Sequence, residues 1–123
     1  MLKLMLIAGC GGFLGTSCRF LINKFFLSFW KLPFPLATFL INISGCLLFG
    51  IIMGILQRNS IFSQRLNAFL IVGFCGGFTT FSTFSFETFT LGLNGEILLS
   101  ALYIALSIIA GLVATWIGLY LTS

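Results

Sequence analysis

Gly73-Phe-Cys-Gly-Gly-Phe-Thr-Thr-Phe-Ser-Thr-Phe-Ser-Phe-Glu87 decides how this chain is to be read. It lies inside a long apolar run, yet it is rich in glycine, hydroxyls and phenylalanine. Gly73, Gly76 and Gly77 weaken a helix in mid-run. Thr79, Thr80, Ser82, Thr83 and Ser85 supply donors and acceptors where water is scarce. Phe78, Phe81, Phe84 and Phe86 interleave with them, and Glu87 is one of only 2 acidic residues in the protein. A plain lipid-facing helix has no use for that composition. The pattern predicts a backbone that breaks in mid-membrane and a binding site formed at the break.

The rest of the chain supports a membrane setting. Of its 123 residues 59% are hydrophobic and 7% are charged, whereas about a quarter of an ordinary soluble domain is charged. At about 20 residues per crossing, the length fits four helices with almost no soluble mass. The apolar runs do not alternate, so a barrel is not expected. Helices are expected over residues 2–26, 35–56, 66–92 and 97–121 of a single domain, 1–123. Pro33 and Pro35 suit the start of the second helix, where a missing N–H is not needed. Asn94-Gly95-Glu96 signals the turn before the fourth.

Several polar residues fall inside these spans. Arg19 is either an interfacial anchor or part of an electropositive vestibule that attracts anions. Thr38, Asn42, Gly45 and Cys46 share one face of the second helix. Asn42 is either interhelical glue or a donor into a permeation path. Tyr103, Ser107 and Thr115 recur at multiples of four with Gly111 between them, which suggests a polar track. Gly11–Gly15 and Gly50–Gly54 form GxxxG pairs that bring helix backbones close, within one chain or between chains. The cysteines Cys10, Cys18, Cys46 and Cys75 read as small packing residues. Leu6-Ile-Ala-Gly-Cys10 mimics a lipoprotein cleavage site, but the apolar run before it is too short for a good signal peptide.

Composition excludes most chemistry. There is no histidine, there are only Glu87 and Glu96 as carboxylates, and no nucleophile has a base nearby, so no enzyme is expected. The net charge of +4 forms no stripe for nucleic acid. Lys3, Arg58 and Arg65 lie on one side of the membrane, and Lys24 and Lys31 on the other, joined by Arg19 if it snorkels outward. The positive-inside bias nearly vanishes, and both a fixed and a dual orientation stay open. Transport is the natural class. Freed carbonyls at a helix break can hold a cation, and half-helix N-termini favour an anion. Phenyl rings have a positive edge that can touch an anion without trapping it.

These residues resemble the bacterial fluoride channels called Fluc or CrcB. The match is carried by Gly73 to Ser85, by Gly11-Gly-Phe-Leu-Gly-Thr-Ser-Cys-Arg-Phe20, and by Pro35-Leu-Ala-Thr-Phe-Leu-Ile-Asn-Ile-Ser-Gly45. It implies a passive fluoride exporter of the cell (inner) membrane, built as an antiparallel, dual-topology homodimer with two pores. Phe81 and Phe84 would line the fluoride paths, with Asn42 as a pore donor and Arg19 nearer a vestibule. Carbonyls of Gly76 and Thr79 from both subunits would hold a structural sodium ion, supported by Thr80, Ser82 and Thr83. Tyr103 and Ser107 would continue a polar track, and Thr38 and Glu87 match positions that are polar in the family. A small multidrug transporter is the main rival, but it needs a glutamate in helix 1, which has no carboxylate here. A non-conducting assembly subunit would leave the hydroxyl-aromatic core unexplained.

Overall fold

A computed structural model describes residues 1–123. The chain is all-helical, and four helical spans are long and apolar enough to cross a membrane. They are α1 (Leu2–Leu27), α2 (Leu36–Arg58), a composite third span (Gln64–Leu93) and α6 (Ile97–Thr122). The third span is built from α3 (Gln64–Leu66), a π-helical segment (Asn67–Cys75), α4 (Gly76–Phe78) and α5 (Phe81–Leu93). Ser63 opens it, its side chain accepting from the Leu66 N–H at 3.1 Å. Gly95 takes a positive φ of 83° in the turn into α6, a conformation that glycine adopts without penalty.

The break falls on two threonines. Thr79 and Thr80 are both extended, with φ/ψ of −82/159° and −147/120°. Thr79 closes the first half: its N–H and its hydroxyl both donate to the Cys75 carbonyl, at 3.0 and 2.9 Å. Thr80 opens the second half as N-cap, its Oγ1 accepting from the Thr83 N–H at 3.3 Å. The glycines that drew attention in the sequence are not the point of rupture. Gly76 and Gly77 are helical.

Gly73 and Gly77 instead let α1 approach. A Cβ at Gly73 would sit 2.5 Å from the Ala8 carbonyl oxygen, and one at Gly77 would sit 2.7 Å from that of Gly12. From the other side, a Cβ at Gly11 would collide with the Phe69 carbonyl and one at Gly15 with that of Phe74. The GxxxG pair of α1 is therefore a packing notch within one chain. Gly50 makes the equivalent seat for α6, meeting the backbone at Thr115, Gly118 and Leu119.

This packing pairs α1 with the first half of the third span, and α2 with α6. Beyond the break, α5 leaves α1 and packs on α6. The two halves of one span thus belong to different neighbours, and the gap between them opens toward α2.

Candidate functional site

Asn42 of α2 bridges the gap. Its Nδ2 donates to the Thr80 carbonyl at 3.1 Å, and its Oδ1 accepts from the Thr80 N–H at 2.8 Å. A carboxamide copies the donor and acceptor of a peptide group, so Asn42 supplies the acceptor that the Thr80 N–H loses by leaving the first half-helix, and adds a second donor to the carbonyl that caps α5. The interhelical-glue reading of Asn42 is therefore correct in geometry. One of the two Nδ2 hydrogens remains for another acceptor.

A cavity of about 280 Å³ lies beside this bridge, lined by Asn42, Cys46, Thr79, Thr80, Phe81, Phe84, Ser107 and Ile108. Four of the candidates for the anion path, Asn42, Phe81, Phe84 and Ser107, meet here. The Ser107 hydroxyl is a buried polar atom without a hydrogen-bond partner. A buried hydroxyl ordinarily finds an acceptor or donor, and in a membrane helix its own backbone usually serves. The Phe81 and Phe84 ring centroids are 5.9 Å apart with planes tilted by 46°. Phe81 is 79% exposed, so its flank of the cavity is open to the exterior of this chain.

Three further candidates form a cluster next to that cavity. Glu87 accepts from the Thr38 hydroxyl at 2.9 Å through Oε2 and from the Tyr103 hydroxyl at 2.9 Å through Oε1. Thr38 and Tyr103 are both buried. Tyr103 also packs edge-to-face on Phe84, with centroids 5.0 Å apart, and on Phe34 at 5.4 Å. The ring contact with Phe84 ties the cluster to the cavity. Sequence reasoning left the role of Glu87 open. Its signal was there all along, as the one carboxylate inside a span, but its partners lie on other helices. Thr115 does not extend the track. Its hydroxyl donates to the Gly111 carbonyl at 3.0 Å, and it lines a different cavity.

That second cavity, of about 320 Å³, is lined by Gly45, Cys46, Phe49, Ile71, Cys75, Gly76, Thr79 and Thr115. It contains the two residues whose carbonyls were expected to face a cation. In a continuous helix the Gly76 carbonyl would accept from Thr80 N–H and the Thr79 carbonyl from Thr83 N–H. Those donors go instead to Asn42 and to the Thr80 hydroxyl. The break has freed both carbonyls.

Arg19 lies apart from both cavities. Its Nε donates to the Gly77 carbonyl at 3.0 Å, at the end of the first half-helix. It is half-buried and does not snorkel to a loop, so the expectation of an interfacial anchor gives way to a contact at the break. Counting loop charges without it leaves Lys3, Arg58 and Arg65 against Lys24 and Lys31, still close to balance.

Comparison with known proteins decides the kinship. The family described as CrcB-like protein, Camphor Resistance (CrcB), matches residues 6–119. The chain belongs to the CrcB family. Among its relatives in that family is the fluoride-specific ion channel FluC of Flavobacterium psychrophilum, 44% identical over 118 residues, covering 96% of this chain and 95% of the relative. Proteins of the same description from Pseudomonas fluorescens and from Azobacteroides pseudotrichonymphae are 43% and 41% identical over 122 residues, each covering 99% of this chain and 98% of the relative. These relatives are ion channels and not enzymes. The four apolar spans and this kinship make the protein a multi-pass membrane protein.

Proposed function

We propose that the chain is a fluoride-selective channel that lets fluoride leave the cytoplasm passively, keeping its internal concentration low. The carrying observation is the unpartnered Ser107 hydroxyl in a cavity shared with the Asn42 amide and the Phe81 and Phe84 rings. These groups offer a hydroxyl hydrogen, an amide hydrogen and positive ring edges. Together they suit a small, hard anion. The cavity holds no fixed cation to trap the ion, and weak multi-site binding is what conduction requires. The kinship with proteins described as fluoride-specific ion channels supports fluoride as the anion.

In this proposal the path runs past Asn42, Phe81 and Phe84 toward Ser107, Tyr103 and Thr38, with Arg19 beside it at the end of the first half-helix. Two copies of the single domain, residues 1–123, insert in opposite directions and pair, giving two pores. The exposed flank of Phe81 and the near-balanced loop charges support that pairing. The Gly76 and Thr79 carbonyls of both copies would hold a sodium ion at the centre. Neutral carbonyl oxygens suit a hard cation, and those two lack their helical donors. The ion would neutralise facing carbonyls where the two breaks cross.

Purified protein in liposomes loaded with fluoride or chloride tests the function with ion-selective electrodes. Fluoride efflux is expected to exceed chloride efflux by a wide margin. Equal chloride flux, or no flux of either, overturns the proposal. Exchanging sodium for the bulky cation N-methyl-D-glucamine is expected to weaken both dimer and flux; if both are indifferent to the exchange, the cation reading is wrong.

A further inference from the structure

Arg19 brings a full positive charge into a membrane span, where an ionised side chain is costly unless something holds it. What holds it is a single peptide group. Its Nε donates to the Gly77 carbonyl at 3.0 Å, and the Thr16 hydroxyl reaches the same oxygen at 3.5 Å. Glu87 is engaged by Thr38 and Tyr103, and Glu96 lies at the start of α6 beyond the turn.

The place of that carbonyl matters. The helical run 64–78 ends at the break, so its last carbonyls carry the negative pole of the half-helix, roughly half an elementary charge. Thr79 and Thr80, which follow directly, line the cavity with Asn42, Phe81, Phe84 and Ser107. The N-terminus of α5, with its positive pole, faces the same gap from the other side. The gap therefore receives one pole that attracts an anion and one that repels it.

We propose that Arg19 is the fixed counter-charge of the break. It holds the Gly77 carbonyl through Nε and cancels the negative pole of the first half-helix, leaving the α5 N-terminus to set the sign of the field at the cavity. Arg19 is thus a positioning residue that acts through the backbone rather than on the anion itself. A vestibule that merely gathers anions does not require a hydrogen bond to Gly77. The inference rests on the anion-channel reading for its functional half, while its structural half stands on the contact alone.

Two full-length variants separate charge from geometry. Arg19→Gln keeps a donor of shorter reach and loses the charge; Arg19→Lys keeps the charge and loses the planar fork. Fluoride efflux is expected to fall about tenfold or more in Arg19→Gln, equivalent to about 1.4 kcal/mol at the barrier, and to stay within about threefold of wild type in Arg19→Lys. Hydrogen exchange of the peptide spanning residues 76–83 is expected to accelerate in both. Equal loss of flux in the two variants overturns the counter-charge, since it reports only a damaged fold. Wild-type flux with wild-type exchange in Arg19→Gln overturns the inference altogether. Should Arg19→Gln not fold, Arg19→Lys against wild type carries the same comparison: flux more than about tenfold lower, against the expected near-retention, overturns the counter-charge. A wild-type protein without fluoride flux would overturn the channel reading instead, and exchange at residues 76–83 would then decide whether Arg19 holds the break.

Discussion

Alanine in place of Asn42 is expected to lower fluoride flux about a hundredfold, equivalent to about 2.7 kcal/mol. The change removes both hydrogen bonds between α2 and Thr80, including the one acceptor of the Thr80 N–H. The Thr80 N–H would be left without a partner in a poorly hydrated gap, at about 1–3 kcal/mol, while its C=O, as the N-cap carbonyl of α5, keeps the first bond of that helix. Alanine also removes the amide hydrogen that remains for an anion. Asn42→Asp is an informative contrast. Its carboxylate can still accept from the Thr80 N–H, but it cannot donate to the Thr80 carbonyl, and its charge repels the substrate. The aspartate variant is expected to conduct no better than alanine while melting closer to wild type. Efflux from liposomes and thermal unfolding in detergent measure the two quantities. Wild-type flux in the alanine variant would mean that the break holds itself open without α2.

Leucine in place of Gly15 is expected to leave little properly folded protein. The added side chain would start on the Phe74 carbonyl, with the Phe78 nitrogen 2.9 Å away. Both neighbours are backbone, so no flexible side chain can give way. Overpacking in a core that can partly relax costs about 1–3 kcal/mol, and this seam has less room to relax than that. Gly9 is the matched control, because nothing lies within 4 Å of a Cβ added there. Gel filtration in detergent should show aggregation or a shifted profile for Gly15→Leu and a native profile for Gly9→Leu. A native profile and unchanged melting for Gly15→Leu would show that α1 is free to seat elsewhere.

Much of this was legible in the sequence, and the reasons for the remainder are specific. Four spans follow from length and apolar content, which the bilayer constrains strongly. The broken third span was legible from glycine and threonine inside an apolar run. Its cause was misread, because glycine has two uses in a membrane helix. Gly76 and Gly77 stay helical, and Gly77 serves the contact with α1, whereas Thr79 and Thr80 end one helix and cap the next. The π-helical stretch Asn67–Cys75 carried no compositional signal, since a π turn changes which carbonyl each N–H reaches without needing a different residue type. In the candidate site, side chains that share one helix face were foreseeable, such as Tyr103 with Ser107. Partnerships between helices were not. The bonds from Thr38 and Tyr103 to Glu87, and from Arg19 to Gly77, depend on how all four spans cross, and periodicity within one helix contains no such information. Thr115 shows the limit of the periodic argument. It keeps the spacing of a track, yet its hydroxyl goes to the Gly111 carbonyl of its own helix, with the Cys46 carbonyl of α2 at 3.4 Å.

The pairing of α1 with the third span, and of α2 with α6, has a consequence for how the chain is made. Neighbours in sequence are not the principal neighbours in space. As the polypeptide leaves the ribosome, α1 enters the bilayer with its glycine notch bare and stays so until Phe78 has been synthesised. The seat at Gly50 stays bare until Gly118 follows. The contact between α1 and α2 is slight, so the first two helices cannot cover each other's notches. The insertion machinery, or the lipid itself, must tolerate two unmatched notches at once, and a product cut short after α2 would offer quality-control proteases two exposed seams and no finished pair.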